Sequence, residues 1–201
     1  MSAFPIALNA QRVRALVVGG GAVGTRKALA LLEAGASVRV VAPEVSQALA
    51  QVEAENRLAV LRAPYAPDVL GDATLVIAAT GSRDVNSTVA SDARALGKLV
   101  NVTDAPEEGD FHTMAVHRSG DMTIAVSSGG VPAAAARIRD TLARRFDERY
   151  DLALSALHRM RLRLREADPA AWQRASSDLI DEDFCDSVEK GEVPDKVAAW
   201  R

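Results

Sequence analysis

Val13-Arg14-Ala15-Leu16-Val17-Val18-Gly19-Gly20-Gly21-Ala22-Val23-Gly24-Thr25-Arg26-Lys27 joins an apolar run to three glycines and a helical stretch. The apolar, β-branched run ending at Val18 reads as a buried parallel strand. From Ala22 to Ala34, Val23, Leu29, Leu31 and Leu32 recur among small residues, and Gly35 stands where a helix cap belongs. Ser37 to Ala42 is a second apolar strand. Strand, glycine turn, helix and strand within about 30 residues form a βαβ unit, the context in which the spacing G-x-G-x-x-G has chemical meaning.

Each glycine of that spacing has a physical task. Gly19 permits the tight turn out of the strand. Gly21 lets backbone approach a pyrophosphate, and Gly24 lets the helix pack on the strand. Ala22 and Val23 open the helix, whose free amides and dipole face the phosphates. The same turn without any ligand is the competing reading. An acidic residue commonly ends the second strand and takes the adenosine ribose hydroxyls. Here Val41-Ala42-Pro43 is followed by Glu44, whose charge would repel a 2′-phosphate and favour NAD over NADP. The competing reading is that Glu44 is a solvated residue in the first turn of a helix. Arg39, mid-strand, is expected to point away from the ligand.

Glu44 to Asn56 has a helical composition, and Leu58 to Leu61 is a short strand followed by Pro64 and Pro67. Leu75 to Ala79 is a fourth strand, Ser82 to Leu96 a helix, and Lys98 to Val102 a fifth strand. This alternation predicts an α/β fold, a Rossmann-type parallel sheet covered on both faces. Ligands in such sheets sit beyond the carboxyl ends of the strands, so Thr80 and Gly81 are candidates for the nicotinamide half, with Asn86 opening the helix behind them. Capping and turn formation are the alternative for both.

The rhythm changes near Asp104 to Gly109. Phe111 to His117 and Met122 to Val126 read as two strands around Arg118-Ser119-Gly120-Asp121, and Val131 to Arg149 as one helix with Pro132 in its first turn. The rest reads as two or three polar helices broken near Asp168-Pro169 and Gly191. The expected organisation is a nucleotide-binding domain over 1–108, a small α+β region over 109–149 and a helical region over 150–201.

With 201 residues, 48% apolar and 25% charged, the composition is that of an ordinary globular protein. A formal net charge of −3 gives no reason to expect nucleic acid or membrane as a partner. Met1 to Asn9 lacks a basic stretch followed by an apolar run, and no apolar run approaches the roughly 20 residues of a spanning helix. A single cysteine, Cys185, cannot form an intrachain disulfide or a cysteine-based metal site. A cytoplasmic location is the default expectation.

Four segments together resemble the precorrin-2 dehydrogenases, the bifunctional dehydrogenase/ferrochelatases and the amino-terminal module of siroheme synthase. They are Val17 to Lys27, with Arg26-Lys27 just after the glycine turn; Leu31-Leu32-Glu33-Ala34-Gly35-Ala36; Ala78-Ala79-Thr80 with Asn86; and Val100-Asn101-Val102-Thr103-Asp104 with Phe111 and Thr123 to Gly130. The likeness covers roughly residues 4–146. It departs at His112-Thr113-Met114, where relatives often hold a proline, and at Val131-Pro132, where they usually hold a Ser/Thr-Pro pair. The resemblance implies NAD-dependent oxidation of precorrin-2 to sirohydrochlorin. It also implies, for some members, insertion of iron or cobalt into the product, and a homodimer held through the region after the sheet.

That oxidation removes a hydride and a proton from a reduced macrocycle. Asp104, at the tip of the fifth strand, matches the family's important aspartate and is the candidate general base. From chemistry alone, an Asx-turn at Asp104-Ala105-Pro106 is an equal reading. Ser127, Ser128 and Gly129, at a strand-to-helix junction, offer hydroxyls and amides to the substrate's carboxylates, or a helix cap. Arg137 leads a set of arginines (139, 144, 145, 149, then 159, 161, 163 and 165) suited to a carboxylate-rich substrate, or to an ordinary solvated face. His112, His117 and His158 have no metal-ligand spacing, so no metal ligands are assigned. If chelation occurs, Asp104 and His117 are the side chains to test first.

A short-chain dehydrogenase needs Tyr-x-x-x-Lys, but Tyr65 is followed four residues on by Val69 and Tyr150 by Leu154. An NAD-sensing regulatory module without catalysis would share the fold, because fold alone does not decide function.

Overall fold

A computed structural model describes residues 4–200 of the chain; residues 1–3, on which part of the amino-terminal reading falls, and residue 201 lie outside the described residues. The chain divides into two compact units, one ending at Thr113 and one beginning at Met114.

The first unit alternates β1 (Arg14–Val18), α1 (Ala22–Glu33), β2 (Ser37–Val41), α2 (Gln47–Ala54), β3 (Ala59–Leu61), β4 (Leu75–Ala78), α3 (Arg83–Ala95) and β5 (Leu99–Val102). Every strand pair is parallel, and the order is β3-β2-β1-β4-β5. Both faces are covered, which is why the strands are nearly continuous apolar runs. Leu16, Val76 and Val100 fill the core on one face, and Val17, Val40 and Ile77 on the other, all fully buried. Each such side chain contributes roughly 1.5–3 kcal/mol of burial free energy. The chain order reverses between β1 and β4, and a crevice opens at such a switch point beyond the carboxyl ends of the strands.

α2 begins at Gln47, not at Glu44, because the Ser46 hydroxyl accepts the Leu49 N–H (3.3 Å) as the helix N-cap. Glu44 therefore sits in the loop after β2 and is not a first-turn residue.

In the second unit, β6 (Ala115–Ser119) and β7 (Met122–Val126) form an antiparallel hairpin. The strand expected from Phe111 starts later. Asn101 Nδ2 donates to the Phe111 carbonyl (2.9 Å), and Phe111 packs on the core of the first unit. Five helices follow: α4 (Pro132–Arg145), α5 (Glu148–Ala167), α6 (Pro169–Leu179), α7 (Phe184–Glu189) and α8 (Val193–Ala199). The single helix expected over 131–149 is thus two. The chain turns at Phe146, and the Asp147 carboxylate caps α5 by accepting the Arg149 N–H (3.0 Å). The helices read as polar carry a core of their own, with Tyr150, Leu157, Met160, Val188 and Val193 buried and Met122 of β7 packed against them. Hairpin and helices therefore share one hydrophobic core. No helix among the described residues is long and apolar enough to cross a membrane.

Candidate functional site

A cleft of about 470 Å³ opens at the carboxyl edge of the sheet in the first unit. Its wall is built from the glycine turn, the Ala42–Glu44 loop after β2, Pro64 and Tyr65, and the Ala79–Ser82 loop after β4. The glycine turn is shaped by contact. Gly19 has φ +122°, and a β-carbon there would stand 2.2 Å from the Ala79 carbonyl oxygen. A β-carbon on Gly24 would stand 2.0 Å from the Gly19 carbonyl oxygen, so α1 lies directly on the turn. Gly21 differs: a β-carbon there meets nothing within 4 Å. Gly21 is also the N-cap of α1 and supplies no side-chain cap, so no capping side chain of its own covers the positive end of the helix. That arrangement fits a dinucleotide pyrophosphate.

Gly20 acts in a way the spacing G-x-G-x-x-G does not reveal. Its β-carbon would stand 2.2 Å from the Glu44 carbonyl oxygen, and its own carbonyl accepts the Ser46 N–H (3.0 Å). The Thr25 and Ser46 hydroxyls meet at 2.8 Å. These contacts pin the loop that carries Glu44, which is exposed at the lip of the cleft. The only signal for Gly20 was a third consecutive glycine. Arg39 sends its guanidinium to the Val69 carbonyl (2.8 Å) and does not line this cleft.

Thr80 lines the cleft with its polar groups turned inward. Its N–H donates to Asn86 Oδ1 (3.0 Å), its carbonyl accepts from Asn86 Nδ2 (3.1 Å), and its hydroxyl lies 2.7 Å from Asn86 Oδ1. Gly81 is left facing the cleft. Tyr65 forms another part of the wall, and its hydroxyl donates to Asp92 (3.0 Å). Burial and that carboxylate hold the phenol well above its ordinary pKa. Nothing periodic marks Tyr65 in a segment broken by Pro64 and Pro67.

Asp104 is exposed two residues beyond β5, the edge strand next to β4. It lies on the carboxyl edge of the sheet but is not part of the cleft wall. The Thr103 N–H donates to the Ala78 carbonyl (3.0 Å), which ties this segment to the end of β4. The Arg83 guanidinium pairs with Glu108, a hydrogen bond that raises its pKa, and the charges of Asp104 and Glu107 add to the rise. On α1, half-buried Lys27 donates to the Thr113 hydroxyl, and burial together with the Arg26 charge lowers its pKa.

The remaining candidates lie in the second unit. Ser127 and Gly129 are exposed and Ser128 is half-buried, its hydroxyl donating to the Val131 carbonyl. The N-cap position of α4 is Val131, whose side chain makes no cap hydrogen bond. Arg137 is exposed on α4. Several of the other arginines pair with acids: Arg139 with Asp140, Arg145 with Glu189, and Arg149 with Asp147. His117 Nε2 lies 2.6 Å from the Phe146 carbonyl oxygen, a structural contact. Among the described residues, no group of three or more His, Cys, Asp or Glu is placed to hold a metal ion.

A parallel sheet whose order reverses over a glycine-lined crevice defines a dinucleotide-binding α/β protein. Residues 6–115 match the family described as "Putative NAD(P)-binding", and the chain belongs to that family. A siroheme synthase of Chromobacterium violaceum is 45% identical over 143 residues, covering 71% of this chain and 30% of that protein. One from Pseudomonas putida is 36% identical over 201 residues, covering 99% of this chain and 42% of that protein. The chain thus spans well under half the length of these relatives. A solved structure, SirC, precorrin-2 dehydrogenase, superposes with a TM-score of 0.79 at 26% identity, over 98% of this chain and 99% of SirC. The likeness to siroheme synthases and precorrin-2 dehydrogenases read from the sequence motifs is borne out.

Proposed function

We propose that this chain is an NAD-dependent dehydrogenase that oxidises precorrin-2 to sirohydrochlorin in siroheme biosynthesis. The observation that carries the reading is the end-to-end match to SirC, precorrin-2 dehydrogenase, in a chain whose own cleft has a bare helix N-terminus at Gly21. Bound NAD supplies the hydride acceptor. In this reading Gly19, Gly21, Ala22, Val23 and Gly24 hold the pyrophosphate, and Glu44 takes the adenosine ribose. Thr80 and Gly81 border the nicotinamide half. The Asp104 carboxylate takes the proton released as the macrocycle is oxidised. Its exposure and its place beside the end of β4 support that role.

Ser127, Ser128, Gly129 and Arg137 are assigned to the carboxylates of the substrate. Gly129 and Gly130 have φ +60° and +100°, which shapes the turn carrying the serines. A homodimer is supported by the exposed apolar side chains Val131, Ile138 and Leu152 of the second unit. A cytoplasmic setting accords with one exposed, unpaired cysteine. Supplying precorrin-2 and NAD to the purified chain should generate NADH and the sirohydrochlorin absorbance together. NAD binding with no turnover would overturn the dehydrogenase and leave a nucleotide sensor. Ferrous or cobaltous ion added with sirohydrochlorin reads out metal insertion in the same preparation.

A further inference from the structure

Two glycines have an identity that the protein itself does not require. Of the 13 glycines, eight have a left-handed φ that disfavours any side chain. Gly20, Gly24 and Gly109 are crowded, a β-carbon meeting backbone at 2.2, 2.0 and 3.3 Å respectively. Gly21 and Gly81 alone have neither a left-handed φ nor any atom within 4 Å of a β-carbon. Both line the same cleft. Conformation and packing explain the other eleven; a ligand passing close to the backbone explains these two.

Gly21 sits at the helix N-terminus where the pyrophosphate belongs, and Glu44 marks the adenosine side at the end of β2. Gly81, after β4, then faces the other half of the dinucleotide. Its loop is held from behind. Asn86 is fully buried, and its amide both accepts from the Thr80 N–H (3.0 Å) and donates to the Thr80 carbonyl (3.1 Å). Those two bonds also fix which end of the amide is oxygen. With both backbone groups of Thr80 bound to Asn86, the following residue is presented to the cleft without a side chain.

We propose that Asn86 is the positioning residue of a nicotinamide-side subsite and that Gly81 is its point of close approach to the cofactor. This rests on the cleft binding a dinucleotide. Asn86 acts through the loop and does not touch the cofactor. Gly81 sets how near the ring comes, and so where the hydride-accepting carbon is held.

The test uses the full chain and its Gly81→Ala and Asn86→Ala variants. It reads the fluorescence of NADH on binding, which reports the environment of the ring, and its displacement by ADP-ribose, which lacks the ring. Gly81→Ala is expected to unfold at the wild-type temperature and to keep ADP-ribose affinity within about threefold. Its bound NADH should lose the emission change, and NADH should lose any affinity advantage over ADP-ribose. Asn86→Ala is expected to shift both readouts in the same direction. Should that variant not fold, Asn86→Asp, which keeps the acceptor for the Thr80 N–H and removes the donor to the Thr80 carbonyl, takes its place, and a folded Asn86 variant with wild-type values of both readouts would overturn the positioning role. Unchanged NADH emission in Gly81→Ala, or equal weakening of both ligands, would overturn the inference. If the wild-type chain binds neither NADH nor ADP-ribose, the cofactor reading fails first.

Discussion

Replacing Gly21 and Gly24 separately by alanine should divide binding from folding. Gly24 lies inside α1, where helix propensity alone would favour alanine by about 1 kcal/mol. The structure reverses that sign, because the added carbon would stand 2.0 Å from the Gly19 carbonyl oxygen and that oxygen belongs to rigid backbone. The helix must lift from the strand, and overpacking of this kind costs about 1–3 kcal/mol. Set against the propensity gain, the net cost is up to about 2 kcal/mol; for a chain of 201 residues each kilocalorie corresponds to about 2–4 °C, so Gly24→Ala should lower Tm by up to about 8 °C. At Gly21 the added carbon enters open space at an ordinary φ of −75°. A modest loss of N-cap preference there is offset by about 0.4–1 kcal/mol from a less flexible unfolded chain. Tm should stay within a few degrees of wild type. That same carbon occupies the approach to the first-turn amides. Losing one charge-assisted hydrogen bond of about 1.5–3 kcal/mol should weaken NAD roughly ten- to hundredfold. Differential scanning calorimetry and isothermal titration with NAD measure the two quantities on each variant. A stabilised Gly24→Ala, or a Gly21→Ala that unfolds early while binding NAD normally, would refute the reasoning.

Further outcomes follow from other residues. Asp104→Ala should bind NAD as the wild type does and lose about 10²–10⁴ in turnover, measured by NADH formation with precorrin-2; near-normal turnover would remove Asp104 from the chemistry. Glu44→Gln should keep Tm and raise NADP affinity about tenfold relative to NAD in competition titrations, because a carboxylate no longer faces the 2′-phosphate. Burial, with hydrogen bonds to Cys185 and Glu189, pushes the Tyr150 phenol up to about 12. The unfolded chain releases that proton near pH 10, so the stabilising contribution is complete below about pH 10 and is lost as pH rises through about 12. Urea midpoints of Tyr150→Phe should therefore fall less steeply than wild type across that window, and parallel curves would count against it.

The sequence was enough for the alternation of strands and helices through residue 102, the parallel sheet and the glycine turn after its first strand. These are local matters: apolar runs of strand length, the spacing of Gly19, Gly21 and Gly24, and helical stretches between them. The carboxyl edge also followed, because parallel strands joined by crossover helices leave their loops there. Tertiary structure decided what depends on residues far apart in the chain. The pinning of Glu44 by Gly20 spans the whole of α1 and β2. The contribution of Tyr65 to the cleft wall depends on Asp92 of α3. The break of the expected 131–149 helix at Phe146 needed the cap at Asp147, since propensity continues through those residues while backbone hydrogen bonding does not. The polar-looking carboxy-terminal helices became a packed unit because Tyr150, Leu157, Met160 and Val188 converge only once four helices are folded together. Periodicity reports which face of an element is apolar; the partner of that face, and the loop a buried asparagine will hold, are properties of the assembled chain.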